Sequence, residues 1–169
     1  MALTRLTESF YHRDCLEVAP DLVGKLILRK FPDGTLLRER IAETEAYRGQ
    51  EDLACHASRG RTPRTELLYR ESGIIYVYLC YGMHWLMNVI TGEPEQPQGV
   101  LIRAGAVHNG PAKLTKYLQV DKHFNGGSFV TSRNCGSPTT LPPETAHRCA
   151  CGHRLRRGVL EKYALAVDR

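Results

Sequence analysis

The densest apolar patterning in the chain lies at residues 73–92, GIIYVYLCYGMHWLMNVITG, where two apolar runs, 74–79 and 84–90, flank Tyr81-Gly82. Both runs are rich in β-branched and aromatic residues, and an alternation of period two fits them better than a helical period. The stretch predicts two strands folding back at Tyr81-Gly82. On the first strand Ile75, Val77 and Leu79 share one face and Tyr76, Tyr78 and Cys80 the other, because successive strand side chains point to opposite sides. The apolar face belongs in a core. The tyrosine face is amphipathic and suits a pocket wall, although an aromatic-rich core hairpin is the plainer reading of this stretch alone. Tyr81 is expected at the hairpin tip.

Upstream, Asp14 caps a helix over 15–23 with Gly24 as its stop. Pro20 is expected to split that helix into two turns around a break. Residues 25–31 alternate as a strand, Pro32-Asp33-Gly34 is a hairpin turn, and 36–47 returns as the partner. The end of that partner, IAETEAY, sets Glu43, Glu45 and Tyr47 on one face and Ala42, Thr44 and Ala46 on the other. Two carboxylates and a tyrosine there are either a solvated edge or a device for activating water on a rigid strand, and spacing does not choose between them.

Residues 48–64 show neither period and are dense in polar and small residues, the mark of a long ordered loop, which often carries function. Arg59, Arg61 and Arg64 cluster there around Gly60 and Pro63. They read as solvated charges or as phosphate ligands, since a guanidinium matches phosphate bidentately. His56 reads as a satisfied loop histidine, a metal ligand or a pocket wall. Farther on, 100–104 is a short strand, and Asn109-Gly110-Pro111 opens a helix running to residue 118. Lys113 and Lys116 lie on one face near its start, as a phosphate seat or as ordinary surface lysines.

Composition adds bounds to this pattern. A chain of 169 residues without linker or repeat suits a single domain, 1–169, with a real core. Lysine and arginine number 23 against 18 aspartates and glutamates, and the sequence pI is about 9.0. That agrees with the footprint of a nucleic-acid binder without requiring one. The first residues show no apolar core of a signal peptide, and no run approaches a membrane span. Six cysteines in such a chain read as reduced thiols in a cytoplasmic setting. From residue 123 the sequence turns loop-like, and Cys135, Cys149, Cys151, His147 and His153 crowd together. Their C-x-C spacing departs from the usual zinc pattern, so metal-free thiols are expected. Residues 155–167 are expected to close the domain as a strand and a short helix.

Five motifs appear in order: ETEAY, G-x-E-D-x-A-x-H, RTPRT, YVYLCYGMHWLMN and NGPAKL. Together, at nearly the same spacing, they resemble the alkyladenine (methylpurine) DNA glycosylase family. The resemblance covers residues 6–121 and returns weakly at 154–159. The segment between Ala104 and NGPAKL is shorter than in that family, so a helix is expected to be missing there. The resemblance implies an α+β fold, a curved antiparallel β-sheet surrounded by helices, with a long DNA-binding loop. It implies a monofunctional DNA glycosylase of base excision repair, a monomer without metal or other cofactor. The partner would be double-stranded DNA carrying a damaged purine: an alkylated adenine, hypoxanthine or ethenoadenine. Such an enzyme flips the nucleotide out and hydrolyses its N-glycosidic bond, leaving an abasic site. Glu45 matches the general base, and Arg103 an arginine near the water and sugar. Tyr47, His56 and Tyr78 match the stacking walls, Asn88 the residue that polices the purine edge, and Tyr81 the intercalating tyrosine. Arg59, Arg61, Arg64, Lys113 and Lys116 are assigned to the DNA backbone. Two readings from other classes stand beside this one. One is a metal-dependent nuclease using Glu43, Asp52 and His56. The other is a non-catalytic damaged-DNA binder.

Overall fold

Two hairpins, laid side by side through a fifth strand, position the site. The computed structural model describes residues 4–131 and the backbone of residues 135–139. The first hairpin pairs β1 (Leu26–Lys30) with β2 (Leu36–Arg48). Its turn is held by bonds from Gly34 N to the Phe31 carbonyl and from Phe31 N to that of Thr35. The Asp33 carboxylate accepts from Thr35 N, the local bond that makes aspartate a turn residue. The second hairpin pairs β3 (Ile75–Cys80) with β4 (His84–Ile90), folding back at Tyr81-Gly82 as the alternation predicts. With β5 (Gln98–Gly105) and β6 (Cys135–Thr139) the strands form one sheet in the order β3-β4-β5-β2-β1-β6, every neighbouring pair antiparallel. Helices α1 (Glu8–Tyr11), α2 (Cys15–Leu22) and α3 (Pro111–Tyr117) complete the α+β fold.

One face of the sheet carries the main core. Ile75 and Val77, Met87 and Val89, Val100 and Ile102, and Ile41 meet Val18 and Leu22 of α2 and Leu114 of α3. Burying each such side chain contributes about 1.5–3 kcal/mol, which is what fixes the register of these short strands. The opposite face gathers Cys55, Ala57, Leu68, Ile74, Tyr76 and Ile90, with Tyr47 and Tyr78 packed against them. Ile75 and Val77 thus lie in the core as the alternation predicts, but Leu79, expected on the same core face, is 40% exposed, because β3 runs out past the core toward the hairpin tip there.

Helix α2 departs from expectation. It is continuous to Leu22 with Pro20 inside it, capped by Asp14, whose carboxylate accepts from Leu16 N. Proline removes one helical bond, but Cys15, Val18, Ala19 and Leu22 are buried along one side, and that packing outweighs the loss. Strand β5 begins two residues earlier than the pattern suggests. After it the chain reaches α3 without an intervening helix, as the short segment predicts. Buried Glu39 pins that connection, accepting from Val107 N at 3.2 Å and lying 2.6 Å from His108 Nδ1. No helix among the described residues is long and apolar enough to cross a membrane. The expected strand and helix at 155–167 lie outside the described residues, as do Cys149, Cys151, His147 and His153; of Cys135 only the β6 backbone is described.

Candidate active site

The ladder between β2 and β5 is regular from Arg48↔Gln98 to Thr44↔Ile102 and then slips, with Glu43 opposite Ala104 and Ile41 opposite Gly105. Ala42 on one strand and Arg103 on the other fall out of register. Bulges of this kind bend a strand and re-aim its side chains. Here the result is a tight polar group. Arg103 Nε lies 2.9 Å from Glu45 Oε1 and 3.7 Å from Glu43 Oε1. The other oxygen of Glu45 accepts from the Tyr47 hydroxyl at 2.5 Å. The Glu45 side chain is only 11% exposed, so the ion pair with Arg103 and the hydrogen bond from Tyr47 form largely out of water, although Arg103 Nε is not aligned for a hydrogen bond to either carboxylate. Burial pushes the Glu43 carboxyl above the ordinary glutamate range, an effect that Arg103 opposes and the Glu45 charge reinforces. Burial first, and then Glu45, raise the Tyr47 phenol, so it stays protonated and remains a donor.

Tyr47 is also one wall of an open cleft of about 390 Å³, counted with its mouth. His56, Tyr76, Tyr78 and Asn88 line the rest, with Leu68 and Gly99. The His56 ring lies 4.5 Å from that of Tyr78, tilted at 67°, and its Nδ1 is 2.9 Å from the Tyr76 hydroxyl. Burial, and then the nearby Arg64 and Arg59 charges, depress the His56 pKa, which keeps the ring neutral and flat-faced at neutral pH. Asn88, 6% exposed, stands opposite Tyr76 in the ladder and donates Nδ2–H to its carbonyl at 3.1 Å. A β-carbon at Gly99 would come within 2.9 Å of the Val89 carbonyl, so this part of the sheet admits no side chain.

At the hairpin tip Tyr81 is 89% exposed and Met83 69%. Tyr81 adopts φ +51°, a left-handed conformation that costs a non-glycine residue free energy. A rigid two-stranded stem thus holds an apolar ring away from the body of the protein. This arrangement of carboxylates, arginine, aromatic cleft and protruding ring can bind a flat base, activate water and occupy space between stacked bases.

Comparison with known proteins bears directly on this geometry. The family model described as Methylpurine-DNA glycosylase matches residues 9–109, well over half of the chain and every residue of the cleft and hairpin. The chain belongs to the methylpurine-DNA glycosylase family. It is therefore a DNA glycosylase, a hydrolase of N-glycosidic bonds. Among curated relatives, proteins named "Putative 3-methyladenine DNA glycosylase" are similar over most of its length. That of Clostridium botulinum is 55% identical over 148 residues, covering 71% of this chain and 73% of its own. That of Sodalis glossinidius is 44% identical over 149 residues, 83% and 85%. That of Natranaerobius thermophilus is 39% identical over 151 residues, 76% of each.

Within this glycosylase the residues singled out from sequence fall into three groups. Glu45, Arg103, Tyr47, His56, Tyr78 and Asn88 come together. Tyr81 stands apart on its hairpin. The basic residues divide. Arg61 is engaged within the protein, bonding both oxygens of Glu66 and reaching Glu95 at 2.5 Å, with its guanidinium 4.9 Å from the Tyr69 ring centre. It clasps the long loop to the turn before β5, which differs from the backbone contact expected of it. Arg59, Arg64, Lys113 and Lys116 are exposed, and among the described residues none forms a salt bridge, although the Arg64 guanidinium lies 5.8 Å from the Tyr78 ring centre. Asp52, a candidate metal ligand, instead accepts from Ala54 N and Arg48 N, and no three histidines, cysteines or carboxylates gather among the described residues. Tyr76, placed on the pocket face by the alternation but given no role there, holds both His56 and Asn88.

Proposed function

We propose that this glycosylase excises damaged purines from duplex DNA by means of a water activated at Glu45. A target buried in the stack must be flipped out to be reached. The flipped base would lie against Tyr47, His56 and Tyr78, whose neutral, flat surfaces suit an alkylated or deaminated purine. Glu45 would take a proton from the water as its oxygen bonds to the sugar C1′. The N-glycosidic bond breaks with its electron pair leaving on the base. Carboxylate charge beside the sugar offsets the positive character that builds there. Arg103 and the Tyr47 hydroxyl would hold Glu45 oriented. Tyr81 would fill the vacated stack, as apolar wedges do. Arg59, Arg64, Lys113 and Lys116 would bind phosphates on the two strands, and Asn88, fixed to the Tyr76 carbonyl, would exclude purines bearing an exocyclic amino group at that edge. The enzyme would act as a cytoplasmic monomer on the chromosome, without metal.

The observation that carries this reading is the Glu45–Arg103–Tyr47 group sharing a wall with an aromatic cleft. A metal-dependent nuclease would need Glu43, Asp52 and His56 together, and Asp52 is taken up by loop backbone. The test is to incubate the protein with duplexes carrying hypoxanthine, ethenoadenine or methyladenine, with a chelator present, and then cleave abasic sites with alkali. Strand breaks at the lesion are expected. Tight binding without breaks would identify a non-catalytic damage binder, and loss of breaks on chelation a metal enzyme.

A further inference from the structure

Two carboxylates share one guanidinium in this site, and the backbone makes the sharing unequal. In a regular ladder Glu43 would stand directly across from Arg103, because Thr44 opposes Ile102 and Glu45 opposes Leu101. The slip moves Glu43 opposite Ala104, and Arg103 lies nearer the more distant partner, 2.9 Å from Glu45 against 3.7 Å from Glu43. Glu43 is faced by Arg103 from β5 and by Glu45 from its own strand. From α2 the contact with β2 includes the Ala19 carbonyl, which accepts from Thr44 on the other face. From the start of β1 it is made by the backbone of Gly24 and Lys25 to Ile41.

We propose that Glu43 is a positioning residue for excision, one that acts through Arg103 to keep Glu45 a strong proton acceptor. The inference rests on the reading of Glu45 as the general base. With both carboxylates ionised the trio carries one net negative charge, so the Arg103 charge is divided between them and draws less on Glu45 than a one-to-one pair would. Glu43 lies farther from Arg103, and burial already favours its neutral form, so it takes up a proton on acidification. Arg103 is then left to Glu45 alone. The excision rate therefore shows a partial loss on the acid side as Glu43 is protonated.

The test is single-turnover excision from a hypoxanthine duplex across acid and neutral pH, for wild type, E43Q, E43D and E45Q. Binding to the same duplex is measured in parallel to show that each variant is folded. Glutamine mimics neutral Glu43, so E43Q is expected to lack the partial acid loss. Its rate should lie on the order of tenfold below wild type at neutral pH and converge with wild type as Glu43 is protonated. E43D is expected to restore the partial acid loss. A profile for E43Q like that of wild type, or one lowered by the same factor at every pH, overturns the proposal while leaving Glu45 as base, provided E45Q is inactive throughout. An E45Q rate close to wild type overturns the general-base reading and this inference with it.

Discussion

Tyr76 links two residues that line the cleft: its hydroxyl lies beside His56 Nδ1 and its carbonyl accepts from Asn88. The His56 pKa is depressed from its ordinary 6.5, chiefly by burial. A depressed histidine stabilises the fold fully above its unfolded pKa, and that contribution is lost as pH falls through the folded value. Stability should thus decline below about pH 6.5, and H56Q should decline less. Denaturant titrations at neutral and mildly acid pH check this, and parallel losses in the two proteins would contradict it. Asn88 makes a different prediction. Guanine differs from hypoxanthine by an exocyclic amino group, and excluding it works against a competitor rather than for the target. N88A or N88S should gain activity on guanine and keep much of its activity on hypoxanthine. The Tyr76 carbonyl then loses a donor, so some loss of stability accompanies the change, on the order of 1–3 kcal/mol. An unchanged guanine-to-hypoxanthine rate ratio would show that Asn88 is not the gate.

At the scale of elements, the β3–β4 hairpin holds Tyr81 at its exposed tip. Unstacking a base costs a few kcal/mol, which an inserted side chain partly offsets. Y81A should therefore reduce base extrusion, read by a fluorescent base analogue beside the lesion, more than it changes the chemical step of bases already extruded. Extrusion and affinity both unchanged would remove Tyr81 from the DNA. This hairpin was legible in sequence down to its register and tip, because period two and a Tyr-Gly turn are local signals; the exposure of Leu79 was not, since it depends on how far the core extends beneath the strand. The first hairpin and the Asp14 cap were legible for the same reason. The slip between β2 and β5 was not. Residues 36–47 alternate without a visible fault, and only pairing with β5, more than fifty residues away, places Ala42 and Arg103 out of register. The clasp of Arg61 was hidden likewise. Its charge was plain, but Glu95 is brought to it by the fold, so sequence offered phosphate as the nearest partner.

At the scale of the whole molecule the surplus of basic residues would act on DNA through those that form no salt bridge among the described residues. Each phosphate neutralised contributes about 0.9 to the slope of log affinity against log salt. Replacing Lys113 with alanine should lower that slope by roughly one unit. R61A should leave the slope unchanged and loosen the long loop, since its guanidinium is already bonded to Glu66 and Glu95. An equal slope change in both variants would place Arg61 on the DNA after all. The central claim, that Glu45 activates the water for purine excision, is tested most directly by E45Q on a hypoxanthine duplex under single turnover. The account predicts near-normal binding and a rate lower by about 10²–10⁴, with a further loss where the carboxylate also stabilises the developing charge. Excision by E45Q at close to the wild-type rate would contradict it.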